Sequence, residues 1–118
     1  MIREADAWLF PLLREVRQRP GAWLGSERVR CLENYLAGYM KARRAFKVPE
    51  LCPPEEARWR EFDAWCAKEK IGAVDSAGWC GVVEMLDRGE HNVLTFFLLL
   101  EEFLAVRGER LDDFAPLE

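Results

Sequence analysis

One segment constrains the rest of this chain. Between about Glu90 and Val106, the residues Val93, Phe96, Phe97, Leu100, Phe103 and Leu104 recur at spacings of three and four. Side chains at those spacings share one side of a helix with about 3.6 residues per turn, so the pattern predicts an amphipathic helix and not a strand. Leu94, Leu98 and Leu99 widen the stripe. So broad an apolar surface is satisfied only among other helices, which makes this the expected central helix. At roughly 1.5 Å per residue it spans about 25 Å, the thickness of a small domain and less than an ordinary membrane crossing needs.

The remainder of the chain has to supply what surrounds that helix. From Ile2 to about Gln18, Ala5, Trp8, Leu9, Leu12, Leu13 and Val16 mark another helical stripe. Pro11 interrupts it, so either a kink occurs there or the helix proper begins near Phe10. Arg19-Pro20-Gly21-Ala22-Trp23-Leu24-Gly25 reads as a break, with Trp23 and Leu24 turned inward. Ser26 is the expected cap of a second helix whose buried side carries Val29, Leu32, Leu36, Tyr39, Met40 and Phe46. Gly38 lies mid-helix, at a cost of about 1 kcal/mol relative to alanine. Close approach of another helix or of the Trp23 loop is the expected offset.

Three prolines make Lys47 to Pro54 a loop. Pro54-Glu55-Glu56 then opens a helix carrying Trp59, Phe62 and Cys66, which ends before Gly72. Asp75 or Ser76 is expected to cap a shorter helix bearing Trp79, Val82, Val83 and Leu86. The acidic tail from Gly108 to Glu118 is free to fray unless Leu111 and Phe114 pin it. No strand alternation, nucleotide fingerprint or internal repeat interrupts this reading. The expected architecture is all-α: a single domain over residues 1–118, an irregular bundle of about five main helices.

Charge is distributed unevenly. The net value of −4 has the wrong sign for a nucleic-acid binder, whose affinity rests on cations neutralising phosphates. Residues 1–48 carry ten Lys/Arg against five Asp/Glu, whereas residues 49–118 carry seven against sixteen. Two readings follow: the halves neutralise each other when folded, or the second half presents an acidic face to a basic partner.

Catalytic equipment is sparse. His91, the only histidine, sits between Glu90 and Asn92 at a helix start and reads as a surface or capping residue. Cys31, Cys52, Cys66 and Cys80 are separated by 21, 14 and 14 residues, without the close pairing of a zinc or redox site. Cys52 in its proline-rich loop and Cys80 near a helix start lack an evident base, while Cys31 and Cys66 read as small buried hydrophobes. Glu101-Glu102 and Asp112-Asp113 are adjacent carboxylates, but helix neighbours diverge by about 100°, so adjacency alone makes no metal site. A non-enzyme without cofactor or metal is expected. The charged start and the lack of an 18-residue apolar run point to a cytoplasmic chain with reduced thiols and no membrane partner.

Of the five tryptophans, Trp8, Trp23, Trp59, Trp65 and Trp79, most are expected in the core. Trp65 falls off the Trp59–Phe62–Cys66 stripe and is the candidate for partner contact. Lys41, Arg43, Arg44 and Lys47 complement the negative end of the second helix, the reading preferred over phosphate contact.

Three pieces together resemble small bacterial immunity proteins of interbacterial toxin systems. They are Arg19-Pro20-Gly21-Ala22-Trp23-Leu24-Gly25, Leu36-Ala37-Gly38-Tyr39, and Phe96-Phe97-Leu98-Leu99-Leu100-Glu101-Glu102-Phe103. The span from Pro49 to Pro54 departs from the pattern. The resemblance implies a cytoplasmic protein, without cofactor, that binds one cognate toxin domain and blocks its active site or substrate channel. Joined to the charge distribution, it points to Glu84, Asp87, Glu90, Asp112 and Asp113, with Trp65, as the contact to a basic toxin. The alternative is a helical structural or regulatory adaptor that binds a partner, or pairs as a homodimer instead of remaining a monomer, through the surplus stripe on residues 93–104.

Overall fold

The computed structural model describes residues 7–72 and 78–115. Among them run six α-helices and no strand: α1 (Leu9–Gln18), α2 (Pro20–Leu24), α3 (Val29–Ala45), α4 (Pro53–Trp65), α5 (Gly78–Leu86) and α6 (Val93–Val106). A π-helical segment, Cys66–Ile71, continues α4, and Leu111–Asp113 form a 3-10 turn. Since α2 has only five residues, five longer helices build the all-α bundle that the apolar spacing predicts.

α6 lies at the centre. Its six stripe residues are buried together with Leu99, and the Phe96 ring meets Trp59 and Phe62 of α4 and Trp79 of α5. The Phe62–Phe96 rings cross at 88° with centroids 5.7 Å apart, an edge-to-face arrangement that sets positive ring edges against a negative face. Each such fully buried aromatic contributes roughly 1.5–3 kcal/mol through area removed from water.

Three helices begin under the side chain of a residue far away in sequence. A helix leaves its first backbone donors without intrahelical partners. At α1 the Glu55 carboxylate takes the N–H groups of Trp8 and Leu9 on Oε1, both at 3.1 Å, and that of Phe10 on Oε2 at 3.0 Å. Pro11 has no N–H to satisfy, so it sits in the first turn without kinking α1. At α3, Asn92 Oδ1 accepts the Val29 N–H at 2.7 Å, and the Val93 N–H returns a bond to the Glu27 carbonyl at 3.0 Å. At α5, Asp63 Oδ1 accepts the Trp79 N–H at 2.8 Å.

Several local expectations are corrected. Ser26 does not cap α3; its hydroxyl accepts the Arg28 N–H within the preceding turn, and Asn92 takes the capping role. Residues 20–24 form the short helix α2 instead of an irregular break, closed by Gly25 at φ 71°. Trp23 is 39% exposed, whereas Leu24 packs against the core. Tyr39 and Phe46, expected on the buried side of α3, are exposed because α3 outruns the core: Leu36 is its last buried residue. Gly38 accordingly has nothing within 4 Å of an added Cβ, so no close approach within the chain offsets its cost. Leu86, Leu94 and Leu98 also lie outside the core.

The tail is held through Ala115. Leu111, Phe114 and Ala115 are buried; Phe114 stacks on Phe10 with centroids 4.9 Å apart, and Arg14 Nη1 donates to the Phe114 carbonyl at 2.7 Å. The expected caps Asp75 and Ser76, and the beginning of the first apolar stripe at Ile2 and Ala5, lie outside the described residues.

Candidate functional site

The acidic residues expected to meet a partner fall in two groups. Glu84, Asp87 and Glu90 surround the end of α5 and the turn into α6. Glu84 is hydrogen-bonded to Arg30 of α3, which raises the already high pKa of that guanidinium, and Glu90 Oε1 stands 3.7 Å from Arg28 Nη2. Asp87 accepts the Thr95 hydroxyl at 2.6 Å and the Gly89 N–H at 2.8 Å. Those two bonds, the hydroxyl's foremost, hold its carboxyl below the usual range.

Asp112 and Asp113 occupy the turn after α6. Asp112 is bonded to Arg17, which also reaches Glu101, and lies 3.9 Å from Arg14 Nε. Asp113 accepts the Arg110 N–H at 3.0 Å, closing its own turn. Cations of the amino-terminal half, Arg14, Arg17, Arg28 and Arg30, therefore meet Asp112, Glu90 and Glu84 of the carboxyl-terminal half. A paired charge projects a much weaker field than an isolated one, and salt screens it further. Of the five carboxylates expected on an acidic face, Glu84, Glu90 and Asp112 are met by cations of the other half.

Trp65 is half-buried. Its ring lies 5.8 Å from that of Phe103 and 6.4 Å from that of Phe62, with Lys70 Nζ 5.4 Å above it, so it closes one edge of the core. A hollow of about 490 Å³ lies near the first acidic group, lined by Arg28, Gly81, Glu84, Met85, Arg88 and Asn92.

Two of the four thiols are held in unreactive settings. Burial, followed by the neighbouring carboxylates of Asp63 and Glu33 respectively, pushes the Cys66 and Cys80 thiols up to about 12. His91 is exposed, with Nδ1 3.1 Å from Glu27 Oε2 at the surface where α3 and α6 begin. Among the described residues no three His, Cys, Asp or Glu side chains gather in a metal-binding group.

Two uncovered surfaces stand out against this background. On α6, Leu94 is 48% and Leu98 71% exposed, one helical turn apart. On α3, the half beyond Leu36 carries exposed Tyr39 and Phe46, the latter at 81%. The Trp8 ring lies 4.4 Å from Tyr39, with the Arg43 guanidinium 5.6 Å from the Trp8 centroid.

Glu55, Asp63, Asn92 and Arg58 escaped the sequence reading as organising residues. Glu55 is 1% exposed, and the Arg58 guanidinium lies beside the stacked Phe10 and Phe114 rings, 5.7 and 5.3 Å from their centroids, while bonding Glu109 at 3.2 Å. Glu55 looks like an ordinary first-turn acid of α4, and nothing local to it names α1. The one available signal was Asn92, a preferred capping residue just ahead of the apolar run.

No protein family, curated protein or solved structure matches this chain. No helix among the described residues is long and apolar enough to cross a membrane.

Proposed function

We propose that this chain acts by binding another protein, and that it does so in the cytoplasm of a bacterial cell to neutralise a cognate toxin domain. The toxin as partner follows from the resemblance to immunity proteins. What supports a binding role is the ridge of Leu94 and Leu98, left uncovered on the helix that otherwise supplies the centre of the core. Ion pairs border it: Glu101 bonds Arg17, and Glu102 lies 2.8 Å from Lys70. An apolar centre with a polar border is the usual anatomy of a protein interface.

This reading moves the contact away from Glu84, Asp87, Glu90, Asp112 and Asp113, because most of those carboxylates already have cationic partners. Binding centred on Leu94 and Leu98 is expected to depend weakly on ionic strength, unlike capture steered by an acidic face. A toxin-sized reading frame is expected immediately upstream of the gene; co-expression of this chain with it should rescue growth, and Leu98→Asp should abolish rescue while leaving the fold intact. The absence of such a frame, or rescue undiminished by Leu98→Asp, would refute the proposal.

A helical adaptor or homodimer is the second reading, favoured by the same ridge because its bordering charges are already neutralised. Sedimentation should then show a concentration-dependent dimer that Leu98→Asp returns to monomer.

A further inference from the structure

The overhanging half of α3 has a composition unlike the rest of the molecule. From Ala37 to Val48 the chain carries Lys41, Arg43, Arg44 and Lys47 and no acid, within a protein of net charge −4. Arg44 Nε bonds Glu50 at 2.7 Å, and Arg43 Nε donates to the Pro49 carbonyl at 2.8 Å. Lys41 and Lys47 form no ion pair among the described residues, so the segment keeps a positive excess.

Helical geometry sorts these side chains into a face with two unlike borders. At about 100° per residue, Gly38, Ala42 and Ala45 fall on one line; Tyr39 and Phe46 lie along one side of it and Lys41 and Arg44 along the other. All seven are exposed. We propose that this face of α3 is a docking surface for an acidic amphipathic helix of a partner protein. Its carboxylates would meet Lys41 and, in competition with Glu50, the exposed guanidinium of Arg44; its apolar side chains would meet Tyr39 and Phe46, and its backbone would approach closely over Gly38.

A planar anionic membrane fits less well. A helix lying on a bilayer buries a wide apolar side, whereas Gly38, Ala42 and Ala45 offer little area to insert and are suited to the close approach of a solid surface. Phe46, 81% exposed, supplies the anchor that a partner pocket would enclose, since aromatic side chains are enriched at the centres of protein interfaces.

The proposal rests on the reading that the chain binds a protein and adds the partner's chemistry. The test is an NMR titration of the isotopically labelled full chain with a synthetic helix of about four turns. This probe carries Glu along one edge and Leu and Ala along the other. Backbone resonances of Gly38, Ala42 and Ala45 should shift. Gly38→Leu should weaken binding by roughly tenfold or more through the lost close approach. Gly38→Ala, which cannot unfold an exposed helix, should weaken it by a smaller factor while raising stability, a divergence that loss of fold would not produce.

Any of three results overturns the proposal: equal binding of a permuted peptide of the same composition, unchanged affinity in Gly38→Leu, or preferential binding to vesicles of phosphatidylglycerol and phosphatidylcholine. Failure of the ridge is read separately, because Leu98→Asp leaves the α3 face untouched and should not alter binding of the probe helix.

Discussion

Asn92 and Val29 are 63 residues apart in sequence and 2.7 Å apart at their hydrogen bond. The amide of Asn92 is used on both sides, since Nδ2 donates to the Asp87 carbonyl at 3.0 Å while Oδ1 receives the Val29 N–H. It fastens the start of α3 to the turn between α5 and α6. Asn92 is 5% exposed and Val29 fully buried, so removing the amide leaves the Val29 N–H without a partner. Asn92→Ala should lower unfolding free energy by about 1–3 kcal/mol in urea titration. An effect below a few tenths of that unit would show that the bond is not stabilising.

Glu55 should be less tolerant still. Its carboxylate accepts three backbone donors, and a bond to a charged group is worth more than a neutral one. Glu55→Gln, which keeps the shape but loses the charge and one acceptor oxygen, should cost about 1.5–3 kcal/mol. Amide exchange at Trp8, Leu9 and Phe10 should accelerate more than exchange in α6; uniform acceleration would contradict a local capping role.

Two glycines should respond to alanine with opposite signs. Gly38 is helical with open space around it, so Gly38→Ala should stabilise by about 1 kcal/mol. Gly72 ends the π-helical segment at φ 76°, where a Cβ is strained despite open space, and Gly72→Ala should destabilise by about 1 kcal/mol. Paired chemical denaturation curves moving the same way would contradict this.

The thiols predict both a labelling order and an alkaline limit. Cys31 and Cys52 are half-buried and should be alkylated in the folded protein, whereas Cys66 and Cys80 should wait for unfolding. Because folding raises the latter pair from 9.0 to about 12, the folded state holds their protons where the unfolded state releases them. Their contribution to stability is whole below pH 9 and is lost as pH climbs towards 12. The fall should be shallower in Cys66→Ala and Cys80→Ala, and a fall as steep as that of the parent chain would refute the assignment.

The core was legible because periodicity reports which side of a helix is apolar: Val93, Phe96, Phe97, Leu100, Phe103 and Leu104 are all buried. Periodicity does not report where a helix leaves its neighbours. Phe46 continues the stripe of α3 beyond the last helix that could cover it, and Leu98 belongs to a stripe wider than the space available. Capping was obscured for a different reason. Ser26 was the nearest acceptor in sequence, but hydrogen bonding is decided by distance in space, and α6 brings Asn92 closer to the Val29 donor.

The candidate contact was less legible than the fold because composition counts charges without their neighbours. Sixteen acids in residues 49–118 suggest a field, yet Arg17 and Arg30 quench it at Asp112 and Glu84. The uncovered side of α3 was hidden in the same way, since Gly38 suggests a close approach that no element among the described residues makes.

The grip of Glu55 on the first helix sets a schedule for synthesis. A nascent chain emerges amino end first, so residues 9–18 leave the ribosome before the carboxylate that secures their opening turn has been translated. A chain arrested before residue 55 should leave the Leu9 and Phe10 amides open to exchange, and lengthening it through α4 should close them. The beginning of this protein is thus finished late.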